Sequence, residues 1–328
     1  MHRRAFIALL AVGAAHPGGV AAQPAARVYR LGILAPTAAP ATSDLNATTR
    51  SVPRYLEASG YVPGRTLVVE HRYAAGRLED LPAMARDLAR IQVDVIMAIG
   101  SSAVRAAKAA TSVIPIVMFG NFDPVATGLV KSLAKPEANV TGVLIAPAGT
   151  LAAKKLELLK EAVARATRIA FLTHEDPGLR PQEKETQAAA ATLGVTLLLT
   201  QVRSSDYERA FAAMVADRPN ALFVAASTYF MRDRKRIIEL AARHRLPAMY
   251  EWPDQVEDGG LMSYGSDLSR TTRRVAEYVD RIFKGARPGD LPIEQPTELR
   301  LVINLKTARA LGLSVPPSLI ARADRVIE

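Results

Sequence analysis

Short apolar runs of strand length alternate with helical segments along almost the whole chain. Residues 30–36, 93–99 and 114–119 are largely apolar and have strand length, whereas 81–88 carries apolar residues at helical spacing. Strands separated in this way by helices run parallel, and parallel sheets need helices on both faces to cover them. We therefore expect an α/β protein with mostly parallel sheets.

The second half of the chain repeats this order. Its predicted strands lie at 168–173, 195–202, 221–226 and 247–252. Residues 94–119 and 221–250 share a detailed order: a strand, small hydroxyl residues, a helix, and a strand that begins at a proline. In a chain of 328 residues, this repetition favours two Rossmann-like lobes over one large sheet.

Stretches rich in proline and glycine are predicted to connect the lobes. These stretches are 146–149, 253–260 and 285–292. We expect the first lobe to contain residues 28–146 and 259–288, and the second to contain residues 147–258 and 289–328. The connections would form a three-stranded hinge, because a few such residues can absorb the dihedral changes of domain closure.

Two local signals place helix ends in the second lobe. Ser205 and Glu208 have the spacing of a capping box, in which each side chain accepts a hydrogen bond from the other residue's backbone N–H. Gly194 follows a helical segment, at the position just past a helix end that glycine favours. We expect one helix to end before Gly194 and the next to begin after Ser205.

The first 22 residues have the features of an export signal. Arg3 and Arg4 precede an apolar stretch that is too short to span a membrane, and small residues lead up to Gln23. We expect cleavage near Ala22 and a periplasmic protein, with the arginine pair also permitting the twin-arginine route. The chain has no cysteine, which excludes disulfides, thiolate metal sites and a lipid anchor on cysteine.

The net charge of +10 raises the possibility of a nucleic-acid partner. The charges are mixed along predicted helices, as in the run from Arg232 to Arg236, which favours solvated helix faces; a docking patch for an acidic partner is the alternative. Nine Tyr, eight Phe and one Trp show no array for base stacking. We expect no nucleic-acid partner.

Polar and aromatic residues follow the predicted strands. In open α/β sheets, ligands bind beyond the carboxyl ends of the strands, so two facing lobes direct both sets of ends at one cleft. The candidate ligand-binding residues are Thr37, Ser101, Ser102, Asp123, Ser227, Thr228, Tyr250, Glu251 and Tyr264.

These side chains suit an amino acid or a related small zwitterion. Amides of the helix after Ser101 and Ser102 could hold a carboxylate, and Asp123 or Glu251 could pair with an ammonium group. Aromatic side chains, Trp252 among them, could enclose an apolar group. Each has a structural alternative: the Ser and Asp residues as helix caps, the aromatic residues as core or turn, and Glu251 as the partner of an arginine.

No catalytic or metal-binding motif stands out. The chain has no HExxH, no P-loop and no GxSxG elbow. His71, His174 and His244 lack metal-ligand spacing, so we expect solvated or capping roles for them. We expect no enzymatic activity, no cofactor and no metal.

Several short segments together carry a family resemblance. They are 58–64 (ASGYVPG), 114–117 (IPIV), 123–125 (DPV), 139–142 (NVTG), 155–159 (KLELL), 259–265 (GGLMSYG), 296–297 (PT) and 302–319, from VINLK to PPSL. The chain resembles exported substrate-binding proteins of bacterial ABC transporters, in the group that includes tryptophan/tyrosine-type binding proteins. Residues 36–43 depart from that group in being rich in Ala and Pro.

The resemblance implies a type I periplasmic-binding-protein fold and delivery of a small solute to an ABC permease in the inner membrane. It also implies ligand contacts from the loops after the strands, here Ser101, Ser102, Asp123, Thr228, Tyr250 and Tyr264. We predict a monomeric receptor that closes around its ligand by hinge motion. The alternatives are a sensor module for a membrane kinase and a periplasmic hydrolase. A repressor core would need a DNA-binding headpiece where the export signal lies.

Overall fold

A computed structural model describes residues 27–40, 48–146, 151–203 and 205–328. The predicted export signal lies outside these residues. Within them, no helix combines the length and the apolar character that a membrane crossing requires.

The first sheet has five parallel strands. They are β1 (Tyr29–Ala35), β2 (Leu67–Tyr73), β3 (Val95–Ile99), β4 (Ile116–Gly120) and β5 (Val140–Leu144), in the order β2-β1-β3-β4-β5. The helices between them are α1 (Thr48–Glu57), α2 (Leu81–Arg90) and α3 (Gly100–Ala110). Strands β3, β4 and β5 are buried along their whole length, as expected of parallel strands that are covered on both faces.

The second sheet has seven strands. They are β6 (Arg168–His174), β7 (Thr196–Val202), β8 (Ala221–Val224), β9 (Ala248–Tyr250), β10 (Met262–Gly265), β11 (Arg300–Asn304) and β12 (Arg325–Ile327), in the order β12-β11-β10-β9-β8-β6-β7. All neighbouring strands pair in parallel except β10 and β11, which are antiparallel. The prediction of two α/β lobes with mostly parallel sheets is therefore confirmed.

Helices cover the second sheet as they cover the first. They are α4 (Leu151–Ala162), α5 (Arg180–Thr192), α6 (Tyr207–Ala216), α7 (Thr228–Arg232), α8 (Arg234–Arg243), α9 (Pro253–Glu257), α11 (Leu305–Leu311) and α12 (Pro317–Ile320). A large apolar cluster built around Phe171, Phe211 and Met249 forms the core of this lobe.

The chain passes between the sheets at positions that differ from those expected. Strand β10 lies in the second sheet, because the breaker-rich stretch before it folds into α9 and returns the chain beside β9. The crossing follows at Asp267, whose side chain caps α10 (Leu268–Phe283), and α10 packs on the first sheet. Leu291 and Ile293 also pack on the first lobe, so the return crossing lies between Glu294 and β11. Residues 259–288 are thus divided between the lobes.

One predicted helix cap is wrong and one predicted helix end is confirmed. Helix α6 is capped by Asp206, whose side chain accepts a hydrogen bond from the N–H of Arg209, and not by Ser205. The Ser205 hydroxyl is instead bonded to Asp233 and Arg232. Gly194 follows α5 with a φ of +65°, a left-handed conformation that glycine adopts without strain.

Candidate functional site

The carboxyl ends of the strands of both lobes meet at a cleft. One cavity in this cleft, the apolar cavity, has a volume of about 70 Å³. Its first-lobe wall includes Thr37, Ile99 and Phe119, from the ends of β1, β3 and β4. Its second-lobe wall includes Thr228 in α7 and Trp252 after β9. The structure therefore brings two of the predicted residues, Thr37 and Thr228, to one cavity between the lobes.

Trp252 is a large, almost fully enclosed side chain of the apolar cavity. It is 1% exposed, and it belongs to the same apolar cluster as Ile99 and Phe119 of the first lobe. No described residue accepts a hydrogen bond from its indole Nε1. Buried polar groups are almost always paired, so this N–H marks a place where a bound molecule could supply an acceptor.

Two arginines reach the apolar cavity from α7 and α8. The side chains of Arg232 and Arg234 are only 19% and 12% exposed. Arg234 donates to Asp258 at 2.7 Å and to the carbonyl oxygen of Met231 at 3.0 Å. The prediction of a solvated helix face is thus wrong for these two residues, although Lys235 beside them is exposed.

A hydrogen-bond network around Asp233 holds Arg232 in place. The Asp233 carboxylate accepts from Arg232 Nε at 2.6 Å, from the Tyr207 hydroxyl at 2.7 Å and from the Ser205 hydroxyl at 3.1 Å. Burial alone would raise the pKa of Asp233, but the hydrogen bonds from Arg232 and Tyr207 lower it overall. Asp233 therefore stays ionised and fixes the guanidinium at the wall of the cavity.

A second cavity, the charged cavity, has a volume of about 430 Å³. Ser101, Asp123 and Glu251, all predicted site residues, line it. Its wall also carries Lys155 from α4, which forms an ion pair with Glu251; the two side chains are only 6% and 1% exposed. The partner of Glu251 is thus a buried lysine, and not the arginine considered as the alternative.

Several predicted residues form bonds within the protein. The Asp123 carboxylate accepts from the N–H groups of Val125 and Ala126 at 2.8 and 2.9 Å, so it caps a turn while it lines the charged cavity. The Ser227 hydroxyl accepts from the N–H of Tyr229 at 3.2 Å, at the start of α7. The Ser102 hydroxyl donates to Asp176 of the second lobe at 3.1 Å.

Two predicted aromatic residues belong to the core of the second lobe. Tyr250 is 1% exposed, and its burial raises the pKa of its hydroxyl. Tyr264 packs against the same apolar cluster. Neither residue, nor Ser227 or Ser102, lines the apolar or the charged cavity.

Asp176 is not among the predicted site residues, although its position after a predicted strand is a signal that the sequence contains. This residue lies two positions after the end of β6, much as Asp123 lies three positions after the end of β4, and both precede a proline. Lys155 offered no comparable signal, because it lies inside an amphipathic helix where a lysine is ordinarily solvated.

His174 is buried at the edge of this site, so of its two predicted roles, solvated or capping, the solvated one is wrong. Its ring stacks on Tyr229 with centroids 3.9 Å apart, and its Nδ1 accepts from the N–H of Asp176 at 3.2 Å. Burial lowers the pKa of His174, so the ring is neutral at pH 7. The described residues contain no group of His, Asp and Glu that could hold a metal ion.

The chain matches a known family over nearly its whole length. The profile of the family described as "ABC transporter substrate binding protein" matches residues 36–327. A curated relative is the "Tyrosine-binding protein" of Clostridioides difficile strain R20291, which is 26% identical over 267 residues. That alignment covers 79% of this chain and 74% of the relative.

Solved structures show the same fold. A conserved domain protein from Vibrio cholerae has a TM-score of 0.80 and 26% identity, with 92% of this chain and 100% of that chain covered. The ABC domain in complex with L-Trp from Streptococcus pneumoniae has a TM-score of 0.78 and 24% identity, with the same coverage. A ligand-free, open substrate-binding protein from Clostridium difficile has a TM-score of 0.60 and 24% identity, with 92% and 99% covered.

Proposed function

The chain belongs to the ABC transporter substrate-binding protein family, and from this premise we propose that it captures an amino-acid-like solute between its lobes and delivers it to an ABC permease in the inner membrane. The curated relative is a tyrosine-binding protein, and a structural relative holds L-Trp. These names support an amino acid with an apolar or aromatic side chain as the class of ligand.

The apolar cavity is the proposed ligand site. The observation that carries this proposal is Trp252, a buried side chain on the wall between the lobes whose N–H has no described partner. An acceptor on the ligand would pair with this N–H, Thr37 and Thr228 offer hydroxyl groups, and Arg232 offers a positive charge for a carboxylate. A ligand bound there would touch both lobes at once.

The size of the apolar cavity supports a hinge motion. A protein cavity of about 150 Å³ holds one benzene molecule, whereas the apolar cavity measures about 70 Å³. An aromatic amino acid therefore needs more room than this form of the cleft provides, so the lobes must lie further apart when it is bound. A ligand that contacts both lobes then favours the form that is closed around it, because only that form makes both sets of contacts.

Trp252 offers a direct test, because it is the only tryptophan of the chain. We expect tryptophan emission to change on titration with L-Tyr, L-Phe or L-Leu, with no tryptophan in the ligand to interfere. A hundredfold excess over Kd should also stabilise the fold by about 2.7 kcal/mol. Thr228→Val should weaken binding, whereas Thr192→Val at the exposed end of α5 should not. A panel of amino acids that changes neither emission nor melting temperature would refute this assignment.

The proposed function includes export and transport. We expect the mature chain in the periplasm to begin at Gln23, which the intact mass of the periplasmic protein would reveal. Cells that lack the protein should take up the ligand more slowly and recover when the gene is restored. Normal uptake without the protein would favour a sensor role, and chemical conversion of the bound ligand would favour an enzyme.

A further inference from the structure

We propose that Ser101 and Ser102 of the first lobe and Asp176 and Gly178 of the second form the contact on which the lobes close, and that the missing side chain of Gly178 is what permits closure. These four residues are called the closure contact below. The inference deepens the proposed function and rests on it, since it concerns how the receptor shuts.

The hydrogen bonds of the closure contact converge on one carboxylate oxygen. Asp176 Oδ1 accepts from the Ser102 hydroxyl across the cleft at 3.1 Å and from the N–H of Gly178 in its own loop at 2.8 Å. The backbone N–H of Asp176 donates to His174 Nδ1 at 3.2 Å, which anchors the loop to β6. Asp176 is 9% exposed. A rigid loop of the second lobe thus presents a fixed acceptor to the first.

The Asp176 carboxylate lies at the start of α3, an eleven-residue helix whose first turn contains Ser101 and Ser102. A negative charge is favourable at that end of a helix. The sequence suggested that a ligand carboxylate would bind here, but the carboxylate that lies here belongs to the protein. The lobes can therefore make this contact without a ligand, and a bound ligand adds its own contacts to those that already stabilise the closed form.

The closure contact leaves almost no space for a side chain at Gly178. A Cβ at Gly178 would lie 2.2 Å from Ser101 Oγ and 3.5 Å from Ser101 Cβ. The first distance is far below any real contact, whereas the second is ordinary. Gly178 does not have a positive φ, so its backbone accepts alanine. Of the three atoms nearest to the methyl group, the one from its own lobe is Asp176 Oδ1, at 3.2 Å. A methyl group at Gly178 therefore requires either that the Ser101 hydroxyl rotate away or that the lobes part. Because Ser101 is only 6% exposed, we expect the lobes to part.

The test measures the distance between the lobes in the protein without added ligand. Because the chain has no cysteine, Arg86→Cys in α2 and Gln187→Cys in α5 provide two exposed sites for spin labels, one on each lobe. Gly178→Ala should shift the ratio of closed to open molecules by about tenfold or more towards open. Ser101→Ala added to Gly178→Ala should restore the original distance distribution, because it removes the clashing oxygen.

Two controls separate closure from folding. Glu175→Gln changes an exposed residue of the same loop that pairs with Arg203 inside the second lobe, and it should leave the distance unchanged. The melting temperature of Gly178→Ala should stay near that of the parent, since its main clash is with the other lobe. A parental distance in Gly178→Ala, or a double variant that stays as open as Gly178→Ala, would overturn the inference. The readout needs no ligand, so it stands or falls separately from the ligand assignment.

Discussion

The ion pair of Lys155 and Glu251 shows what a single buried charge does at this cleft. Both side chains are almost fully enclosed, and no described residue donates to the second carboxylate oxygen of Glu251. Removing two charges from water is costly, and the cost is offset only while both partners are present. The pair therefore fixes α4 against the end of β9, next to Trp252, more than it adds net stability.

Replacing one member of this pair should be far more damaging than replacing both. Lys155→Met leaves a buried, unpaired carboxylate, and we expect the free energy of unfolding to fall by about 3–5 kcal/mol. Glu251→Gln in the same chain should recover most of that loss. Urea unfolding measures both effects, with Lys154→Met, at an exposed neighbour, as the control. Equal losses for Lys155→Met and Lys154→Met would contradict this account.

The residue types at the cleft were predictable, but their roles were not. A Ser or Asp just after a strand can cap the next turn or bind a ligand. The local sequence around Asp123 and around Ser227 is compatible with both roles, so it does not distinguish them. The role of Glu251 depends on Lys155, which lies 96 residues away in the sequence. Such pairings are set by the tertiary fold, so local patterns do not contain them.

At the scale of elements, strands β4 and β5 approach each other too closely for a side chain at Gly142. This residue has a φ of +143°, and a Cβ there would lie 2.2 Å from the carbonyl oxygen of Met118 on the neighbouring strand. The neighbour is backbone of a buried strand and cannot move aside. Glycine at this position is therefore a condition for pairing the two strands.

Gly142→Ala should destabilise the protein by about 3 kcal/mol or more, since it adds backbone strain to a clash within the sheet. Gly194→Ala is the matched control, because that glycine also has a positive φ but no atom within 4 Å of the added methyl group. There we expect a loss of about 1 kcal/mol. Thermal unfolding of both variants gives the comparison, and equal losses would show that strain alone matters.

Most strands and helices could be predicted from apolar periodicity, because buried parallel strands such as β3 are apolar along their length. The exceptions occur where one sequence pattern is compatible with two different local structures. Residues 253–260 are rich in helix breakers, which suits a crossing between lobes as well as the short helix α9. Ser205 has the spacing of a helix cap, but its hydroxyl forms hydrogen bonds with Asp233 and Arg232 and not with the backbone of the helix.

At the scale of the molecule, two histidines with lowered pKa values, the buried His174 and the more exposed His71, should make stability depend on pH. Burial lowers the pKa of His174 and of His71, with Arg232 and Arg50 adding to the effect. At a pH below 6.5, the ordinary pKa of histidine, these histidines bind more protons in the unfolded chain than in the folded chain. Stability is therefore full above that pH and decreases as the pH falls through it.

We expect the melting temperature to fall between about pH 7 and pH 5. His174→Asn keeps an acceptor near the Asp176 N–H but removes the titrating ring, so the fall should be smaller in this variant. Adding His71→Asn should reduce it further. Calorimetry at several pH values provides the measurement, and identical slopes in the parent and the double variant would rule out the histidines as the cause.

Neither lobe is built from one continuous stretch of chain. Helix α10 covers the first sheet although it follows most of the second, and β11 and β12 complete the second sheet from the last residues of the chain. During translation, both hydrophobic interiors consequently stay open until the final third of the polypeptide has left the ribosome. For the same reason, no single cut of the chain would separate two complete lobes.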